Sequence, residues 1–284
     1  MQKKHYLLSF LLLVGLVTSC PVQADDFGLW TGAGMSQKLG NSGFSADADL
    51  GLRLNNNWKS VDRWNFGVGL SYDLTSFLEA GVGYDYLYSY SHSVAEDKYN
   101  SSGNWRGYNV DNGFWRSKNR LHVDLKGKLA VGRFGFSLRE RYQLTGYNHV
   151  YYRQEKYRFN TLQDASGNTS YVLRDGYPES EQDMKRSKTK NYLRSRLSAE
   201  YNIPKCPVDP YAAFEVSNNL ANGFSIDKRR YTVGFDWKLK KGHHLSLAYV
   251  YSNGNDDDDD DDIHAISVSY KVKNLFWSPK KKKK

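Results

Sequence analysis

Two pairs of side chains carry the residue types of hydrolytic chemistry. His122 and Asp124 stand two positions apart, as do His244 and Ser246. In an extended chain such residues share one side. A working nucleophile also needs a base within reach and a group that orients it. Neither pair holds all three roles, and histidines in polar networks are the commoner arrangement. The expectation is therefore no catalytic residue. The aspartate run Asp256–Asp262 offers the carboxylate oxygens that calcium favours. It lacks EF-hand spacing and a glycine turn, and such runs are usually solvated and self-repelling. No metal site is assigned to it. No phosphate loop or dinucleotide fingerprint occurs, and no cofactor is expected. Cys206 lies in Pro204-Lys205-Cys206-Pro207, which reads as a turn. Cys20 lies in the leader, so no disulfide framework holds the chain.

The elements that would carry these residues show a strict period of two. Residues 44–54 place Phe44, Ala46, Ala48, Leu50, Leu52 and Leu54 on one face. Ser45, Asp47, Asp49, Gly51 and Arg53 fall on the other. Residues 64–75 repeat the pattern with Trp64, Phe66, Val68, Leu70, Tyr72 and Leu74. Successive strand side chains point to opposite faces, so these are strands with one apolar and one polar side.

The first 24 residues read as a secretory signal: Lys3 and Lys4, an apolar stretch from Leu7 to Val17, and Val22-Gln23-Ala24 before cleavage. A rival reading takes Val17-Thr18-Ser19-Cys20 as a lipoprotein processing site that leaves Cys20 lipidated. Secretion together with alternating strands implies an all-β, transmembrane, antiparallel up-and-down β-barrel of about 10–12 strands in a Gram-negative outer membrane. The domain organisation is a signal at 1–24, a barrel at 25–276 and a disordered Lys-rich tail at 277–284.

Composition agrees. Aromatic residues make up 15% of the chain while mean hydropathy is −0.71, a pairing that suits a barrel diluted by lumen and loops. Of the net charge of +9, two charges leave with the signal and five belong to Lys280–Lys284, which leaves a body near +2. No basic patch is arranged for nucleic acid.

Candidate strands are 27–39, 44–54, 64–75, 77–91, 117–132, 134–148, 188–203, 210–220, 229–240, 243–254 and 263–274. The count of eleven is odd, whereas single-chain bacterial barrels usually have even numbers. The expectation is that a strand is missing from the count or that 27–39 does not fully span. Residues 92–116, 149–187 and 253–262 read as long polar loops, the first two carrying aromatics, and they alternate with tight connections at Thr75-Ser76, Gly132-Arg133, 204–209 and Lys240–Gly242.

The chain also resembles the domain of unknown function 2490 family of Bacteroidota outer-membrane proteins. The resemblance rests on Trp30, Gly81-Val82-Gly83-Tyr84 and Arg139-Glu140-Arg141-Tyr142. It continues through Tyr192-Leu193-Arg194-Ser195-Arg196, Pro210-Tyr211 with Glu215, and Arg229-Arg230-Tyr231 before Gly234. It implies an outer-membrane barrel and no particular activity.

If apolar faces meet lipid, the polar faces line a lumen. Early strands then supply an acidic wall of Asp47, Asp49, Asp73, Glu79 and Asp85. Middle strands supply a basic wall of Lys126, Lys128, Arg139, Arg141, Arg194 and Arg196. Two readings remain open: a porin-like channel with a transverse field for polar solutes, or walls that pair and plug the lumen. The second makes the barrel a scaffold whose aromatic loops present a surface to a ligand or protein. Expected partners are outer-membrane lipid, the barrel-assembly machinery, and small polar solutes or a surface ligand, with no nucleic acid. Glu140 falls among lipid-facing positions, and a bulge that swings it inward is the expected remedy.

Overall fold

The computed structural model describes residues 27–163, 166–254 and 262–275. The signal, Asp256–Asp261 and the lysine tail lie outside the described residues.

The barrel strands of the first half are β1 (Phe27–Lys38), β2 (Phe44–Asn55), β3 (Ser60–Asp73), β4 (Leu78–Ser91), β7 (Phe114–Val131) and β8 (Phe134–Tyr147). Those of the second half are β12 (Lys188–Tyr201), β13 (Val208–Asn219), β14 (Ser225–Lys238), β15 (His243–Gly254) and β16 (Ile263–Lys273). These eleven close into one barrel. Neighbours are antiparallel except for the closing pair, where β1 runs parallel to β16 with Trp30 beside Ser267. An odd ring of alternating strands must bring its first and last members together in the same direction. Among the described residues no barrel strand is missing from the sequence count, and β1 pairs along nearly its whole length on both edges.

The outside of the barrel is apolar. Leu50, Phe66, Val82, Val123, Leu138, Leu197, Val233 and Leu247 are exposed there. The inside holds polar residues that are almost fully buried, including Thr145, Lys118, Asp209 and Glu215. This inverts the usual soluble order and is the arrangement a lipid-facing barrel requires. Each barrel strand has at least 11 residues, enough for the roughly 9–11 needed to cross a bilayer obliquely.

The segments expected as loops are instead strands. They are β5 (Val94–Tyr99), β6 (Trp105–Asp111), β9 (Val150–Gln163), β10 (Thr169–Leu173) and β11 (Glu179–Lys185). They form an extension sheet in the order β10-β9-β6-β5, with β11 also paired to β9. Their alternation is short and mixed in polarity. Cross-strand polar and aromatic pairs hold them, so no apolar face announces them. Gly107 permits the close approach of β6 to β9: its φ is +126° and a Cβ there would stand 1.9 Å from the Tyr157 carbonyl oxygen.

The bulge expected at Glu140 does not form. The β7–β8 and β8–β12 registers run unbroken through it. Glu140 stays on the outer face, and its carboxylate accepts a 2.6 Å hydrogen bond from the Ser195 hydroxyl. A local partner thus lowers the cost of the charge without moving the backbone. We expect Glu140→Leu to fold fully, with a heat-modifiable gel shift and a urea midpoint equal to or above the parent's. Loss of the folded band would contradict the outward placement.

Candidate functional site

The lumen carries a connected ionic network. Glu215 on β13 is 3% exposed and is where three guanidiniums meet. Arg139 on β8 donates to it at 2.9 Å, Arg194 on β12 donates to its other oxygen, and Arg230 on β14 lies 3.6 Å away. Arg194 also donates to Gln143 at 3.0 Å. Beside this cluster Arg141 grips Asp124 through two bonds of 2.6 and 2.8 Å. His122 continues the chain, with Nε2 3.5 Å from Asp124 and Nδ1 3.5 Å from Asp85.

On the opposite flank Trp30 meets two cations. The Arg53 guanidinium stands 3.8 Å from its ring centroid and that of Arg230 stands 5.0 Å away. Arg230 thus reaches from β14 to β1 across two intervening strands, β15 and β16. Those strands present small inward residues there, with Ala248 4% and Ala265 0% exposed. A continuous series of contacts therefore runs from Arg53 through Trp30, Arg230 and Glu215 to Arg139 and Arg194.

The residues of the two charged walls are found as follows. Asp47 pairs with Lys271 at 3.3 Å, Asp73 with Lys38 at 3.4 Å, and Glu79 with Lys128 at 2.5 Å. Asp49 accepts a 3.4 Å bond from Asn65. Lys126 lines the same cavity as Glu79 and Asp124. Arg196 lies beside Arg139 and Glu215 in the strand register. Glu79 and Lys128 join one wall directly to the other. The basic wall is neutralised chiefly by Asp124 and Glu215. Glu215 is missing from the acidic wall read in the sequence, although Ala213, Glu215 and Ser217 alternating with Phe214 and Val216 mark it as inward.

The two hydrolase-like pairs separate chemically. His122 lies between two carboxylates. His244 Nδ1 is 3.1 Å from Asp236, while the Ser246 hydroxyl pairs with the Tyr211 hydroxyl at 3.1 Å. Neither is a nucleophile–base couple. Asp262, the described end of the aspartate run, accepts bonds from Tyr251 at 3.0 Å and Asn253 at 2.7 Å. Among the described residues no group of His, Cys, Asp and Glu is arranged to hold a metal.

The extension offers the second candidate surface. One face carries an aromatic series. Trp105 stacks on Phe159 at 5.1 Å and meets Tyr171 edge-on at 5.1 Å. Tyr108 stacks on Tyr157 at 4.6 Å and contacts Phe159 at 6.1 Å. Asp97 fixes the indole by accepting its N–H at 2.8 Å. The other face is polar. Asp111 accepts from Gln154 at 2.6 Å and from Lys185 at 2.9 Å. Asp183 accepts from the Tyr152 hydroxyl at 2.8 Å. Tyr152 also contacts Phe114 at the end of a barrel strand, 5.2 Å between centroids, which ties this face to the barrel.

Burial raises the Asp111 carboxyl, but the bonds from Gln154 and Lys185 outweigh it and hold the group below its usual range. The Met184 backbone N–H and the Tyr152 hydroxyl lower Asp183 likewise. Groups depressed in the folded state stabilise it above their unfolded pKa. That stability is lost as pH falls from about 4 through the folded values. We expect amide protection in β6, β9 and β11 to drop below about pH 4 while the barrel strands remain protected, as read by hydrogen exchange. A second expectation concerns the lumen. Glu215→Ala leaves three guanidiniums around a missing anion and should destabilise the barrel by about 3–5 kcal/mol in urea unfolding. A loss well under 1 kcal/mol would mean solvent already screens the cluster.

A family model described as a protein of unknown function (DUF2490) matches residues 27–263. No curated protein matches the chain. The β domain of a Bordetella autotransporter, Brka, aligns with a TM-score of 0.41 and 12% identity over 83% of this chain and 82% of that one. The translocator domain of the autotransporter NalP from Neisseria meningitidis aligns with a TM-score of 0.29 and 12% identity over 89% and 92%. Likenesses at these scores carry no argument about function. The family model spans nearly the whole barrel, from the first residue of β1 to the first of β16, and the chain belongs to this DUF2490 family of proteins of unknown function.

Proposed function

We propose that this protein is an outer-membrane barrel of a Gram-negative bacterium, closed by its own lumen side chains, that presents its extension sheet to a ligand. The observation that carries this reading is the series of contacts from Arg53 through Trp30 and Arg230 to Glu215 and its arginines. Partnered charges and an indole in contact with two guanidiniums in the lumen favour a scaffold over a porin-like channel for polar solutes. The apolar outer surface supports the membrane location. A leader cleaved near Ala24 and insertion by the barrel-assembly machinery fit that location. Separated histidine and serine partners favour a non-enzymatic role.

The ligand surface is the aromatic face of the extension. Flat rings flanked by polar groups suit the apolar faces of sugars, or peptide side chains. Trp105 is held in place by Asp97 and Phe159, so little ordering remains to be done on binding. The test is an array of immobilised oligosaccharides and peptides probed with the refolded full chain. Binding to a defined subset should fall at least about tenfold for Trp105→Ala and Phe159→Ala, with the barrel still heat-modifiable. No retained ligand, or binding indifferent to both substitutions, would contradict the reading.

A further inference from the structure

Arg63 on β3 is a buried arginine of the lumen. It is 4% exposed, and its Nε is buried with no hydrogen-bond partner. Among the described residues no carboxylate pairs with it, whereas Arg139, Arg141, Arg194 and Arg230 each have one. Its register neighbours make the position worse. Arg53 lies beside it on β2, bringing a second positive charge. Ser89 lies beside it on β4, 5% exposed, with its hydroxyl buried and also without a partner. A guanidinium does not lose its proton in a protein. A buried charge is normally paired because the unpaired form is very costly.

Arg63 lines a cavity of about 420 Å³ in the lumen. The cavity is polar and also lined by Arg53, Arg120, Asp49, Asp85 and His122. At its floor Asp49 and Asp85 converge over Gly67: their carboxylate oxygens lie 2.6 and 2.7 Å from where a Cβ on that residue would stand. Any side chain at position 67 would enter the space these carboxylates occupy. Cationic and acidic side chains thus share the lining of the cavity.

We propose that this cavity is a binding site for a small solute bearing a carboxylate or phosphate group. The anionic group accepts from the Arg63 guanidinium where it borders the cavity, supplying the counter-charge that it lacks. The Asp49–Asp85 pair repels a second negative charge and favours a solute with a hydrogen-bond donor or an ammonium at its other end. The site is independent of the extension surface and does not require an open channel.

The test is equilibrium dialysis of the refolded full chain with radiolabelled inorganic phosphate, acetate and glycine. Saturable binding near one per chain is expected for at least one probe. Phosphate alone would identify a phosphate site, and acetate or glycine a carboxylate site. Glycine above acetate would assign the ammonium to Asp49 and Asp85. Arg63→Met should reduce binding at least about tenfold and, by removing an unpaired buried charge, leave the ligand-free melting temperature equal to or above the parent's. Arg63→Lys, which keeps the charge but not the planar fork, should fold and bind more weakly than the parent. No saturable binding of any probe would overturn the proposal. So would unchanged binding in Arg63→Met, or in Arg63→Lys should the methionine variant not fold.

Discussion

Glu215 is the anion around which the lumen is organised. Three guanidiniums from three different strands converge on it, and one of them also lies over the ring of Trp30, three strands further round the barrel. Removing charges from water is expensive, so a barrel with polar walls must either flood its interior or match its charges one against another. Here the matching is extensive. Arg141 with Asp124, His122 with Asp85, and Lys128 with Glu79 extend it to β4, β7 and β8. The lumen cluster therefore ties neighbouring strands together through their inward side chains from β4 round to β14, and the Arg230–Trp30 contact carries the tie over β15 and β16 to β1.

The two ends of the molecule answer to different solvents. Within the barrel, lipid on the outside demands apolar side chains at every second position and the closed ladder satisfies the backbone. The parallel closing pair keeps that ladder complete with an odd number of strands. Beyond the barrel, water removes the demand for an apolar face. β5, β6 and β9–β11 can then spend their side chains on cross-strand polar pairs and on the aromatic series from Tyr171 to Tyr157. A rigid sheet raised on a filled barrel suits presentation better than passage.

The barrel was largely legible in the sequence because lipid imposes a pattern. The alternation at 44–54 and 64–75 marks the same outward faces that Leu50, Leu52, Trp64 and Phe66 occupy in the structure. The eleven candidate strands correspond to the eleven barrel strands, and only the general preference for even numbers argued against them. The extension was not legible. Lys98, Asn109 and Gln154 sit where a hydrophobic period would need apolar residues, so strands there look like polar loops. The pairing of lumen charges was not legible either. Period two assigns a residue to the inner face but does not say which residues face one another. That depends on closure and register, which bring Arg230 of β14 to Trp30 of β1. Glu140 shows the same limit in reverse: a hydroxyl on the neighbouring strand, invisible from its own segment, satisfies it in place.

The central claim is that the lumen's own side chains close it to passage. Single-channel recording of the refolded full chain in planar bilayers addresses it directly. The account predicts no steady conductance from a preparation whose barrel is folded and heat-modifiable. Steady conductance whose ion selectivity shifts when Arg139 and Arg141 are neutralised would contradict it, and would make the two charged walls the lining of a pore.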